Sequence, residues 1–492
     1  MEENQTVANT PEYHLTSPTQ TPINFTIQLS ENPATTPEGY EFIISGSEPE
    51  TGKTKTEQYY LPGKDHQAYL YFFEKLARDF GLRLPQNKPE TFSKPSFQAS
   101  LQEVLSKNLN PDILYGYGDP AVIQVKDEQD EGQPKYYLVA TSNDAPHAFP
   151  IIRSNNLWDW EFVNFVFPEG QKPAWAANGA LISDYWAPEM HQFGEEFRIY
   201  FVARDKHTHE LCIGKAHSPR PDGPFVPDPE PILRGNVIDP HVYVQDAETA
   251  YLYWKEDNNA VWPSELIALL YQHPKLITAL FPNREDQITA TFMVTLWPWL
   301  QTREPMERFL ITQVFIESII VRYLTFYEDL KKLGQQQTAD VQEQLQKVLH
   351  FMKTPVYAQQ LSPDGSGLIG EKVKIIQNDL AWEAHLVEGI WVTRQQDKYY
   401  LFYAGNDFST DQYGIGVAIA DSPLGPFRKM ETPFLQSTTE WWAPGHPSVT
   451  TDPDGKPVLI LHAYFPEQAG YKQFRAILAA HVTFTPDMVM LD

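Results

Sequence analysis

The stretch Lys398–Asn406, KYYLFYAGN, carries the pattern that decides the fold. Aromatic residues at this density suit a pleated, half-buried strand. Related strands rich in aromatic and β-branched residues recur as PKYYLVATS from Pro134, EFRIYFVARD from Glu196, TAYLYWKED from Thr249 and PVLILHAY from Pro457. Three of the four intervals are about 55 to 60 residues, a length that suits a four-stranded propeller blade. Neighbouring fragments repeat too. HSPRPDGPF (His217–Phe225) resembles DSPLGPF (Asp421–Phe427), and YWAPEM (Tyr185–Met190) resembles WWAPGH (Trp441–His446). Five units of short strands and Pro/Gly turns predict an all-β, five-bladed β-propeller over residues 111–490.

The interval from Tyr251 to Tyr399 is about 150 residues and breaks the period. Its excess lies between Trp254 and Val356. There Met306–Leu333 and Asp340–Met352 have helical spacing, so a helical insertion within blade three is expected over 257–354. The run Phe309–Tyr327 is apolar, but Gln313, Glu317 and Arg322 interrupt it. A charge at mid-membrane is costly, so a packed helix or a contact between copies is expected, and no membrane span. Residues 1–37, rich in Pro, Thr and Asn, read as a flexible tail. Residues 38–110 read as a small α+β accessory region, with strands between Glu38 and Leu61 and a helix at His66–Phe80.

Composition narrows the partners. A formal charge of −26 over 492 residues argues against nucleic acid and anionic membranes, because nothing would neutralise phosphates. The single cysteine, Cys212, excludes an internal disulfide and reads as a small buried hydrophobe. The polar N-terminal stretch lacks the basic start and apolar run of a signal peptide, so a cytoplasmic location is expected.

Three acids sit in apolar strand contexts: Asp119 in YGYGDPAVIQV, Asp239 in NVIDPHVYV and Glu388 in HLVEGIWVTR. A carboxylate there costs several kcal/mol unless it is paired, hydrogen-bonded or protonated. Asp-Pro is also an ordinary turn start, so each of the first two has a structural reading. Glu388, flanked by Leu386, Val387, Ile390 and Trp391, has none so simple, and a raised pKa for acid catalysis would account for it.

The ordered motifs GDPAVI, WAPEM, IDPHVY with YLYW, VEGIWV with KYYLFYAGN, and APGHPSV resemble glycoside hydrolase family 43 over residues 112–490, outside the helical stretch. The resemblance implies a five-bladed propeller of inverting glycosidases acting mainly on arabinofuranosides and β-xylosides, with an oligosaccharide as partner. It makes Asp119 the general base, Glu388 the general acid and Asp239 the residue that tunes and holds Glu388. It also implies that Trp186 lines the sugar pocket and that His446 lies at the axis near the sugar or a structural calcium. Arg475 would contact substrate. For His446 a core histidine is the alternative, and for Arg475 an ion pair. One departure is Ile390, which stands where the family usually has proline. No cofactor is required by this chemistry.

Two other functions remain open on the sequence. A retaining, invertase-type carbohydrase would share the fold, although the WMNDPNG signature is absent. A catalytically silent propeller that binds sugar or protein is the non-enzyme reading, against which stands the retention of all three acids. The helical insertion is the expected surface for any homo-oligomer.

Overall fold

The computed structural model describes residues 11–32, 39–63, 66–85, 95, 97–126, 134–143, 145–168, 171–178 and 184–492. It divides into two compact units, one made of residues 1–86 and 259–352, the other of 87–258 and 353–492.

The first unit joins two distant segments of chain. Strands β1 (Glu12–Thr16), β2 (Asn24–Asn32), β3 (Gly39–Ser47) and β4 (Thr54–Pro62) form an antiparallel meander. Phe25, Ile27 and Leu29 are buried and alternate with exposed Thr26 and Gln28, the period-2 pattern of a sheet with one covered face. Helix α1 (His66–Phe80) follows, on the stretch whose spacing is helical. Six further helices complete the unit: α2 (Val261–Gln272), α3 (Leu276–Leu280), α4 (Arg284–Leu300), α5 (Pro305–Ile320), α6 (Tyr323–Gly334) and α7 (Ala339–Phe351). Edge-to-face ring pairs join sheet to helix, Phe25 with Phe292 at 5.4 Å and Tyr40 with Trp299 at 5.3 Å. Arg83 pairs with buried Asp286 at 3.1 Å.

These observations correct three expectations. The tail expected over 1–37 contains β1 and β2; its residues 1–10 and 33–37 lie outside the described residues. The accessory region expected to end at 110 is divided, because Gln102–Leu105 pairs with the last sheet of the second unit. The apolar stretch 306–333 is two helices meeting at an 85° bend. Arg322 sits at the break, donating to the Leu280 carbonyl and to Asp329 Oδ2, so the backbone turns where a charge needs partners. Among the described residues no single helix is long and apolar enough to cross a membrane. Residues Leu310–Ile320 of α5 are buried inside this unit, which accounts for their apolarity.

The second unit is antiparallel sheet. After β5 (Gln102–Leu105) come five sheets, each a meander in chain order. The first holds β6 (Gly118–Lys126), β7 (Pro134–Thr141), β8 (Pro150–Ser154) and β9 (Glu161–Phe165). The second holds β10 (Trp186–Phe193), β11 (Glu196–Arg204), β12 (Leu211–Ser218) and β13 (Val226–Pro227). The third holds β14 (Val237–Val244), β15 (Ala250–Glu256), β16 (Val356–Leu361) and β17 (Leu368–Ile376), with α2–α7 falling between β15 and β16. The fourth holds β18 (Val387–Gln395), β19 (Lys398–Gly405), β20 (Gly414–Ala420) and β21 (Arg428–Lys429). The last holds β22 (Trp442–Thr451), β23 (Pro457–Tyr464), β24 (Arg475–Thr485) and β25 (Met488–Leu491), with β5 pairing β24. Each recurring aromatic strand of the sequence is thus the second strand of a sheet. The first strands neighbour one another in the cyclic order β6, β10, β14, β18, β22 and back to β6.

Candidate active site

The same defect recurs in every first strand. The antiparallel register slips between Gly118 and Ala121, Trp186 and Glu189, Ile238 and His241, Glu388 and Trp391, and Trp442 and Gly445. Within each slip one residue has positive φ: Asp119 at 49°, Ala187 at 45°, Asp239 at 55°, Gly389 at 59° and Ala443 at 47°. Left-handed backbone is strained for any residue with a Cβ, and such strain persists only where the surroundings over-determine it. Proline follows in four of the five, a residue a ladder tolerates at a bulge because it has no N–H to donate. The Asp-Pro pairs are therefore strand bulges that re-aim side chains, and neither begins a turn.

The fourth bulge keeps this geometry without proline. Gly389 takes the left-handed position at no steric cost, and Ile390 stands where the others have proline. Space is short there as well, since a Cβ on Gly389 would lie 3.0 Å from the His446 Cα. The acid stands one residue earlier, as Glu388. Trp186 holds the corresponding place in the second bulge, half-buried against Val202, Leu211 and Ile238.

Asp119 lies in a cationic nest. Arg475 Nη1 donates to its Oδ1 at 2.9 Å, and Thr141 Oγ1 donates to its Oδ2 at 2.6 Å. His446 Nδ1 stands 3.4 Å from Oδ1, while the Asp119 backbone N–H donates to His462 Nδ1 at 3.0 Å. Burial alone would raise this carboxyl. The Arg475 charge first, then the imidazoles of His446 and His462 and the Thr141 bond, outweigh burial and hold it far below the usual aspartate range. The approach is close enough to require Gly118, where a Cβ would overlap the Arg475 guanidinium at 1.6 Å.

Glu388 has the opposite setting. Its Oε1 accepts from Tyr413 Oη at 2.8 Å and its Oε2 accepts from Lys255 Nζ at 3.1 Å. Burial raises its pKa and Asp239 raises it further, partly offset by Lys255 and Tyr413. Asp239 accepts the Gly389 N–H at 2.8 Å, which ties it to the residue beside Glu388. Burial, then repulsion from Asp119, pushes Asp239 up to about 7 against the pull of Lys255 and Gly389. His446 joins the two halves, its Nδ1 standing 4.0 Å from Asp239 Oδ2.

The structure thus gathers Asp119, Asp239, Glu388, His446 and Arg475 at the converging bulges, with Trp186 on the neighbouring one. Arg475 is engaged with Asp119, the ion-pair alternative of the sequence reading. Glu189 accepts from the imidazole of His241 at 3.0 Å and from the Val242 N–H at 3.1 Å, and Val392 N–H donates to His241 Nε2 at 2.8 Å. That chain links β10, β14 and β18 just beyond the acids. Calcium takes six to eight oxygen ligands. His446 beside an Asp119 already held by Arg475 supplies no such direct set, and among the described residues no three His, Cys, Asp or Glu side chains are grouped to hold a metal.

Sequence reasoning missed Thr141, Lys255, Tyr413 and His462. Of these only Lys255 left a signal, a cation directly after the aromatic run YLYW of a buried strand.

A carboxylate biased towards its ionised form, together with a second acid biased towards its protonated form, is the equipment of a glycosidase. The model for Glycosyl hydrolases family 43 matches residues 109–298 and 344–490, and the chain belongs to that family. It is 42% identical over 81 residues to Xylosidase/arabinosidase 43A of Humicola insolens, covering 16% of this chain and 23% of that protein. It is 34% identical over 77 residues to Beta-D-galactofuranosidase xynD of Aspergillus niger, covering 15% and 22%. The matched segments therefore span under a quarter of these relatives. A crystal structure of a thermostable family-43 glycoside hydrolase shares the fold, at 23% identity and a TM-score of 0.51, over 77% of this chain and 93% of that one.

Proposed function

We propose that this family member is an inverting glycosidase that removes terminal arabinofuranosyl or β-xylosyl residues from oligosaccharides. In this reading the second unit is a five-bladed β-propeller with α2–α7 inserted in its third blade, a reading supported by the cyclic order of the five first strands. Asp119 takes a proton from the attacking water. Glu388 gives a proton to the departing glycosidic oxygen, and Asp239 holds Glu388 through the Gly389 N–H and, when ionised, resists loss of that proton. Inversion needs acid and base on opposite faces of the sugar with room for water between them.

One observation carries the reading: two largely buried acids at matching bulges are biased in opposite directions, Asp119 lowered by Arg475 and Glu388 raised by burial and Asp239 in spite of its pairing with Lys255. A lowered pKa favours the ionised form of Asp119, so its contribution is to orient water more than to bind the proton tightly. Trp186 offers an apolar face for the sugar ring. The pentose assignment is supported by the similarity to Xylosidase/arabinosidase 43A of Humicola insolens.

The test is a panel of nitrophenyl arabinofuranosides and xylosides with the anomer of the first product followed by NMR. Turnover with inversion is expected. Retention would overturn the mechanism, and absence of turnover across the panel would overturn the pentosidase assignment and favour the sugar-binding reading.

A further inference from the structure

Lys255 is a fully buried lysine, its side chain 0% exposed, and the base and acid chemistry described above does not use it. It ends the aromatic stretch of β15, and its Nζ lies 3.1 Å from Glu388 Oε2 and 3.4 Å from Asp257 Oδ1. Tyr413 Oη already donates to the other oxygen of Glu388. Both oxygens of the acid are thus held by donors, which fixes the carboxyl plane and favours its ionised form. An acid catalyst must nevertheless carry a proton on one oxygen when the leaving group departs.

We propose that Lys255 is a positioning residue that orients Glu388 and sets the pH at which it gives up its proton, with Asp257 sharing the ammonium and so moderating its hold. The proposal rests on Glu388 being the general acid. The groups facing this pair are Asp239 on β14, Asp257 after β15, His385 ahead of β18, Tyr413 ahead of β20 and Tyr464 on β23, with His446 beyond Asp239. Among these Lys255 supplies the close cation, whereas Asp239 and Asp257 are both anionic when ionised. Without Lys255, burial and repulsion from Asp239 would act on Glu388 unopposed except by the Tyr413 hydroxyl. A lysine held among carboxylates keeps its charge, and the direction here agrees: burial lowers its pKa, but Glu388, Asp257 and Asp239 raise it above the ordinary value.

The pH profile of kcat/KM reads this out, because its basic limb reports loss of the acid's proton. In Lys255→Met the basic limb moves to higher pH by about one unit or more. Lys255→Arg, which keeps the charge, returns the limb towards wild type while kcat for poor leaving groups stays depressed, since the longer fork reorients the carboxyl. Asp257→Asn leaves Lys255 to Glu388 and moves the limb the other way, to lower pH. This variant also serves if Lys255→Met does not fold. A basic limb unmoved in Asp257→Asn and in any folded Lys255→Met protein would overturn the proposal. Failure of the underlying reading looks different: Glu388→Gln would then retain turnover of alkyl glycosides, whatever Lys255 does.

Discussion

Asp119 and Glu388 are carboxylates at equivalent bulges of one repeated fold, yet their surroundings are opposite. The side built from β6, β7, β22, β23 and β24 brings Arg475, His446, His462 and Thr141 onto Asp119 and lowers its pKa. The side built from β14, β15 and β18 brings Asp239 close to Glu388 and leaves Lys255 to oppose burial. Repetition supplies two similar places for an acid, and the neighbours decide which loses its proton. In the proposed mechanism, function depends on the symmetry being broken.

The largest effects come from removing either acid. Glu388→Gln should lower kcat on alkyl leaving groups by about 100- to 10,000-fold, with little loss on a dinitrophenyl glycoside that needs no proton. Asp119→Asn should cost a similar factor on both substrates, because water activation is needed whatever departs. Equal leaving-group dependence in the two variants would erase the distinction between the sides.

Arg475→Gln tests what makes the Asp119 side different. The acidic limb of kcat/KM should rise by about one unit or more once burial acts with less opposition. A carboxylate held below its unfolded pKa contributes stability above that unfolded value and loses it as pH falls through the folded one. The variant's loss in Tm should therefore be largest near neutral pH and shrink below the ordinary aspartate range.

Asp239→Asn probes the other side with the opposite sign. A carboxyl raised to about 7 contributes stability that is fully present below its unfolded pKa and is lost as pH rises towards 7. The variant should gain on wild type between pH 4 and pH 7, by up to about 1.4 kcal/mol per unit crossed, and hold a constant difference above that. Denaturant melts at four or five pH values check the slope.

The smallest effect is expected from Thr141→Val, which removes one donor from Asp119 and the acceptor of the Ala187 N–H. The acidic limb should rise by a few tenths of a unit, with kcat/KM down by no more than about tenfold.

The two units were not equally legible. In the second unit the four strands of each meander follow one another in the chain, interrupted only by α2–α7 in the third sheet, so its aromatic strands and Pro/Gly turns recur visibly along the chain. The first unit pairs a sheet from residues 12–62 with helices from 261–351. No local pattern records that pairing, so the sheet and the helices read as unrelated pieces. The α5–α6 bend was hidden for a similar reason, because an apolar run does not say where a buried helix must turn.

Sequence alone determined the family motifs, the repeated strand units and the three acids, because period-2 patterning and a charge in an apolar strand are local facts. Tertiary structure decided that the Asp-Pro pairs are bulges and that Arg475 serves Asp119. It also brought Lys255, Tyr413, Thr141 and His462 to the acids from other strands and turns. Those contacts join residues as far apart as Asp119 and Arg475, and it is such contacts, made only when the five sheets come together, that set which carboxyl is ionised.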